Sequence, residues 1–334
     1  MNRSSFNSHS SFRRLVGVGG IGSGIFFALE GDHDLGRNES RKAELLDVRD
    51  YCKLHIIAHY LAALVGAGQS ETSFQVLPIG KVGSDSAGRR LLKEMTAAGL
   101  DTRYVDEVLG RPTLFSVCYQ YPDRTGGNIT TAESAASLLT PADIDRVIPL
   151  LEAGGRSIAL AVPEVPLEAR AYLLKLATKY RCFRVASFTS AEMVEARASN
   201  LFSLVDLLAL NEDEAGRLVG QSFDAAEPQS FLNRCAAVLT ASQPHIQLIV
   251  SAGKEGAFAF QDGRWAHSPA LPVEVASTAG AGDALLAGTL AALIAGAPLI
   301  NDAAAGDASR RVVASALDFG VLLAGYSATS PHTI

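Results

Sequence analysis

Beyond residue 140 the chain alternates short apolar runs with longer stretches of helical composition, and this alternation limits its fold more than any other feature. A helix expected over 141–152 precedes a strand over 157–161. A helix over 167–179 leads to a strand over 182–187. A strand over 206–210 leads to a helix over 212–219, and a helix over 228–241 leads to a strand over 246–250. The runs are continuously apolar rather than alternating, so both faces of each strand should be buried. The fold class implied is α/β, with a mostly parallel central sheet between two layers of helices.

The first third reads less regularly. Residues 1–13 are Ser-rich and expected to be a disordered tail, followed by a strand over 15–19 that runs into a glycine cluster. The run 25–29 is too short for a helix. The highly charged segment 32–50 reads as an exposed hairpin or lid, and 52–66 as a helix. A strand over 74–79 is followed by an expected turn over 80–85, where Ser84 or Asp85 caps a helix over 86–98 that Gly99 stops. Residues 114–121 alternate like a strand, and 123–128 read as a turn. The domain reading is a tail, 1–13, and one domain, 14–334, with lid segments near 24–50 and 111–131.

Apolar residues make up 48% of the 334 and charged residues 19%, which suits a large buried core and excludes disorder or a fibrous fold. The net charge of -6 and the lack of a basic tract argue against nucleic acid as a partner. Cys52, Cys118, Cys182 and Cys235 are scattered without a CxxC pair, which fits a reduced, cytoplasmic setting. The N-terminal Arg residues and the following apolar run imitate a signal peptide, but glycines interrupt the run and no small-x-small site follows it. No gap-free apolar stretch is long enough to span a membrane.

The chemistry concentrates in Ser277-Thr278-Ala279-Gly280-Ala281-Gly282-Asp283. A helix that is apolar all round follows it and should be buried. Small residues at the N-terminus of such a helix leave amides free to bind an anion, and the helix dipole favours that. Asp283, in the first turn, would repel a simple anion but is suited to take a proton from an attacking hydroxyl. It can also be read as an acid that only complements the dipole.

These residues resemble a known family. Gly280-Ala281-Gly282-Asp283 followed by Ala284 is similar to the C-terminal signature of the ribokinase-like, or PfkB-type, carbohydrate kinases. Residues 80–88, with Gly83 and Asp85, resemble the family's Gly-x-Val-Gly-x-Asp-x-x-Gly segment, continued by Gly99-Leu100-Asp101-Thr102. Residues 208–214 resemble its Asn-x-x-Glu motif, and 250–257 its glycine turn near the nucleotide. The resemblance implies a ribokinase-like sandwich with a small β lid, and ATP-dependent phosphorylation of a hydroxyl on a sugar-like or nucleoside-like metabolite. It implies Asp283 as catalytic base and Gly280, Ala281 and Gly282 as the anion hole. It implies Thr278, Ser251, Gly253, Gly256 and Asn211 beside ATP, and Asn211 and Glu214 holding Mg²⁺ through water. Asn211 also reads as a plain helix cap. Homodimer formation through the lid is a further expectation.

Two regions depart from the family pattern. Ser277 stands where the family has Asp, which counts against the monovalent cation that some relatives hold. Residues 52–57 replace the usual Gly-Gly and Asn, and an Asp common after the first strand is missing, so the substrate does not carry over. Asp34, Arg37 and Asn38 of the charged lid, with Asp32 and Arg41, are candidate substrate contacts, joined by Gly83, Asp85 and Asn128. The altered region keeps a second expectation open, a non-catalytic sugar- or nucleotide-sensing protein on the same fold. The GxGxxG at 17–22 lacks the helix a dinucleotide site needs, and His55 and His59 lack the glutamate of a zinc helix. Residues past 300 carry no motif, although the resemblance places the adenine pocket there.

Overall fold

Nine parallel and antiparallel strands form one sheet among the residues described by this computed structural model, which are 12–70, 73–123, 126–152, 156–301 and 313–334. Its parallel part contains β1 (Phe12–Val18), β4 (Gln75–Gly83), β5 (Val105–Val108), β8 (Arg156–Ala161), β9 (Phe183–Ala186), β10 (Leu207–Asn211) and β11 (Gln247–Ser251). An antiparallel hairpin, β12 (Ala257–Gln261) and β13 (Arg264–Ser268), adds the far edge. The spatial order is β13-β12-β11-β10-β9-β8-β1-β4-β5. Winding reverses around β1, which lies between β4 and β8, and ligands of such sheets gather at the carboxyl ends of the strands near that reversal.

Successive side chains of the parallel strands feed opposite layers, as the period of two requires. Leu15, Val76, Ile158, Leu160, Val185, Leu207 and Ile249 pack with α1 (Lys53–Val65), α2 (Ser86–Ala97), α9 (Ala281–Ile294) and α10 (Ala316–Ala328). Val16, Val18, Leu77 and Ala159 face α3 (Pro141–Asp145), α4 (Ile148–Glu152) and α5 (Leu167–Lys179). Farther along that layer, Leu208, Leu210, Leu248 and Val250 meet α6 (Met193–Ala198), α7 (Glu212–Val219) and α8 (Pro228–Thr240). The central layer is mostly parallel and covered by helices on both faces, as the alternation implies.

A second sheet of four described strands forms the lid. Its order is β3 (Ala43–Tyr51), β2 (Gly22–Leu29), β6 (Leu114–Gln120), β7 (Gly126–Thr130). The register pairs Phe26 with Leu46 and Cys118, and Cys118 with Asn128, so these residues share one face. Phe27, Leu45, Val117 and Ile129 share the other.

Several local expectations change. Phe12 and Arg13 already belong to β1, while the rest of the expected tail lies outside the described residues. The turn expected over 80–85 is mostly strand: β4 continues to Gly83 because β5 pairs with Gly80–Gly83, leaving only Ser84 and Asp85 to bend. Residues 126–128 are strand rather than turn, held by pairing with β6. The helix expected over 141–152 divides into α3 and α4. The β12–β13 hairpin escapes a motif search, but its Asp262-Gly263 link is a hairpin signal in sequence, and both residues adopt positive φ, 50° and 79°.

Candidate active site

Helix α9 builds the floor of the site. Leu285, Leu286, Leu290 and Ile294 are buried against α1 and α10, each contributing about 2 kcal/mol of apolar burial. That packing fixes the N-terminus of α9 under the lid. Gly280 is its N-cap in the left-handed region, φ 75° and ψ -7°, a conformation that glycine adopts without a Cβ penalty. The Ser277 hydroxyl accepts the Ala279 amide at 3.2 Å, and the Thr278 carbonyl accepts the Ala281 amide at 3.2 Å, which tightens the turn. The first amides of an α-helix lack intrahelical acceptors, so, apart from the Ala281 amide already bonded to Thr278, the segment 280–283 offers donors to an anion. A Cβ added at Gly282 would meet nothing within 4 Å, so the approach to these donors is open.

Asp283, in the first turn, lies in a cavity of about 280 Å³ between α9 and the lid. Burial raises its pKa, and Lys53 opposes that rise with its Nζ 3.6 Å from Asp283 Oδ1. The net shift is upward, so desolvation outweighs the ion pair. Lys53 itself is held charged, chiefly by Asp283, then by Glu214 and Glu164.

Lys53 is the first residue of α1, an unfavourable place for a cation next to the positive end of the helix dipole. Glu164 offsets that: its Oε2 accepts the Lys53 amide at 3.0 Å and so caps a helix whose N-cap, Cys52, makes no side-chain cap bond. Glu164 follows β8 and adopts φ 75°, rare for a residue with a side chain. Burial lifts its pKa to about 7 against the pull of Lys53. Asp50, at the end of β3, lies in the same cavity, and its Oδ2 accepts the Cys118 thiol at 3.1 Å. Its pKa is also raised, by burial first, against that hydrogen bond.

Asn211 and Ser251 lie side by side at the carboxyl ends of β10 and β11. Asn211 and Glu214 form a reciprocal capping box on α7: the Glu214 amide donates to Asn211 Oδ1 at 2.7 Å, and the Asn211 amide to Glu214 Oε2 at 2.9 Å. Glu214 is buried, which raises its pKa, and Lys53 opposes that while Asp283 adds to it. Gly253 and Gly256 form the turn after β11, both with positive φ.

The structure therefore brings Ser277, Thr278, Gly280, Asp283 and Asn128 to one cavity, with Gly126 and Gly127 beside Asn128. Other candidates lie elsewhere. Asp34, Arg37 and Asn38 sit on the exposed loop between β2 and β3, and none lines the cavity. Arg41 folds back to Glu39 and to the carbonyls of His33 and Asp34. Asp85 caps α2 through the Gly88 amide and binds the Thr113 amide and hydroxyl. Burial disfavours its charge, but these hydrogen bonds outweigh that and lower its pKa. The Gly83 amide donates to Thr113 as well, so this pair ties β4 to the start of β6 rather than facing the cavity. Of the stretch past 300 where adenine contacts are expected, residues 302–312 fall outside the described residues.

Lys53, Glu164, Asp50 and Cys118 were not among the sequence candidates. Lys53 had one local signal, a cation at a helix N-terminus. Glu164 sits in a Pro-Glu-Val-Pro turn directly after a strand. Nothing local marks Asp50 or Cys118, which meet only through lid pairing.

A family model described as pfkB family carbohydrate kinase matches residues 57–317. The chain belongs to the pfkB carbohydrate kinases. Solved structures of similar fold include the ribokinase from Giardia lamblia, 16% identical with a TM-score of 0.76, covering 96% of this chain and 95% of that one. The Burkholderia thailandensis nucleoside kinase, solved with inosine, is 17% identical with a TM-score of 0.68, covering 95% and 92%. The Cryptococcus neoformans ribokinase, solved with ADP, is 21% identical with a TM-score of 0.67, covering 85% and 88%. At these identities the likeness shows a ribokinase-type fold and leaves the pfkB member's substrate to its own residues. Among the described residues no helix is long and apolar enough to cross a membrane.

Proposed function

We propose that this pfkB-family protein transfers the γ-phosphoryl group of ATP to a hydroxyl of a small sugar-like or nucleoside-like metabolite, in the cytoplasm. The observation that carries the reading is the position of Asp283. It stands in the first turn of a buried helix, beside open amide donors, and faces a cavity roofed by the lid. A hydroxyl held there can give its proton to Asp283 as it attacks. The Gly280, Ala281 and Gly282 segment stabilises the charge on the transferring group, and donors of this kind are worth about 3 kcal/mol each. Lys53 neutralises Asp283 at rest and is placed to meet phosphate charge when the donor arrives.

Thr278, Ser251, Gly253, Gly256 and Asn211 form the nucleotide side in this reading. For Mg²⁺, the donors present are oxygens, and Glu214 is a buried carboxylate with one oxygen engaged by the Asn211 amide. No group of three or more His, Cys, Asp or Glu is arranged to hold a metal among the described residues. One carboxylate and an amide oxygen suit an ion that keeps most of its water, as Mg²⁺ does. Bound Mg²⁺ would neutralise phosphate charge, and Glu214 and Asn211 would hold it through that water. The outer face of the lid, with Leu45 59% and Ile129 66% exposed, supports pairing of two copies through their lids.

The test is ATP consumption by the purified protein against a panel of sugars and nucleosides, with Asp283→Asn alongside. Loss of a general base should lower turnover by roughly 10²–10⁴-fold while the thermal transition stays in place. Full activity in Asp283→Asn would remove Asp283 from the role of base.

A further inference from the structure

We infer that the phosphoryl acceptor is an uncharged polyol, and that Asp50 selects it by accepting hydrogen bonds from its hydroxyls. This rests on the kinase reading of the site.

The glycine cluster after β1 gives the first argument. A Cβ on Gly24 would lie 2.7 Å from Asp50 Oδ2, and one on Gly20 2.4 Å from Glu164 Oε2. No side chain from these two positions reaches the cavity. Their space is taken by two carboxylates that arrive from other elements, Asp50 from β3 and Glu164 from the turn after β8. Glu164 is committed to capping α1. Asp50 has the Cys118 thiol and the Tyr51 backbone as its partners. A thiol is a weak donor, and a carboxylate has about four acceptor sites, so Asp50 keeps capacity for a ligand. Burial raises its pKa, the sign of a charge short of donors.

Charge gives the second. Lys53 is the one cationic side chain lining the cavity among the described residues, and it pairs with Asp283. Arg41, in the lid, is spent on its own loop. An acceptor carrying phosphate or carboxylate would face Asp50, Glu164 and Asp283 with no free cation of its own. Hydroxyls face no such penalty, because O–H groups donate to carboxylates.

The cavity, about 280 Å³ and partly open to solvent, accommodates a sugar ring beside the phosphate site. Phe26, on the cavity face of β2, can cover the apolar face of such a ring.

The experiment measures ATP consumption and calorimetric binding with D-ribose, D-fructose and D-galactose, their monodeoxy analogues, adenosine, inosine and fructose 6-phosphate. Wild type should act on an unphosphorylated sugar or nucleoside and lose at least ten-fold in kcat/KM when one contacted hydroxyl is removed. Asp50→Asn should raise KM for that acceptor at least ten-fold, leave KM for ATP within two-fold, and shrink the penalty for the deoxy analogue. Preference for fructose 6-phosphate over unphosphorylated acceptors would overturn the inference while leaving the kinase reading intact. So would an equal deoxy penalty in both proteins. Turnover with nothing would overturn the kinase reading. In that case sugar binding weakened ten-fold by Asp50→Asn would uphold the role of Asp50, and binding unchanged or absent would overturn it. The deoxy series in wild type needs no variant, so a misfolded Asp50→Asn would not blunt the test.

Discussion

Asp283 and Lys53 set each other's charge, and their pairing gives the site a readable pH dependence. Asp283 must be ionised to accept a proton, and burial has raised its pKa above the ordinary aspartate value. Activity should therefore fall on the acid side at a higher pH than an exposed aspartate would give. Lys53 opposes that rise. In Lys53→Met the acid limb of kcat should move to higher pH, and kcat/KM should fall at least ten-fold as the cation facing phosphate is lost. A pH–rate profile of the two proteins checks both. An unmoved acid limb would mean that the 3.6 Å pair does not couple in solution. Asp283 was legible in sequence because a whole motif surrounds it. Lys53 was harder, because its partner is 230 positions away and only the packing of α1 on α9 joins them.

Helix α1 also carries a buried histidine, His55. It is fully buried, neither ring nitrogen has a hydrogen-bond partner, and the Tyr51 and His59 rings lie 4.6 and 6.0 Å away. Burial, with smaller contributions from His59 and Arg90, holds its pKa down to about 3. The unfolded chain binds a proton here near pH 6.5 and the folded chain does not until far lower. Unfolding thus takes up a proton between those values, and stability contributed by neutral His55 is lost as pH falls through that window. His55→Leu should flatten this dependence and raise stability at pH 7 by about 1 kcal/mol, the cost of an unpaired buried polar group. Urea denaturation at pH 7 and pH 5 measures it, and an unchanged pH dependence would place the acid sensitivity elsewhere. Elements as such were legible wherever burial was uniform, as in β8, β10 and β11. The break between α3 and α4 was legible but passed over: Pro149, the second residue of α4, has no amide to donate to the Asp145 carbonyl, so one helix cannot run through both. Arg146, at the break, is held by Asp106 and the Arg103 carbonyl, contacts that exist only in the folded molecule.

At the scale of the molecule, the lid is asymmetric in a way that bears on assembly. The pleat sends Phe26, Ser116, Cys118 and Asn128 to the cavity and Phe27, Leu45, Val117 and Ile129 outward. The layered sheet was readable from hydropathy because both its faces are dry. The lid was read only as charged and exposed, because charges in the loop before β3, continued by Glu44, Asp47, Arg49 and Asp50 in β3 itself, mask the apolar residues of the sheet. The outward face exposes apolar side chains, Phe115 37% exposed with Leu45 and Ile129 more so, which favours a partner surface over solvent. β3 and β7 are edge strands that a second copy can cover or extend. Two chains pairing through this face would also brace the lid that holds Asp50 over Asp283, so assembly and acceptor affinity should fall together. Sedimentation at micromolar concentration should give a two-chain mass for the wild type and a one-chain mass for Leu45→Lys/Ile129→Lys, with KM for the acceptor raised in the variant and KM for ATP little changed. Neither residue lines the cavity, so a monomeric variant with unaltered acceptor KM would separate assembly from substrate binding, and a one-chain wild type would leave the apolar face to another use.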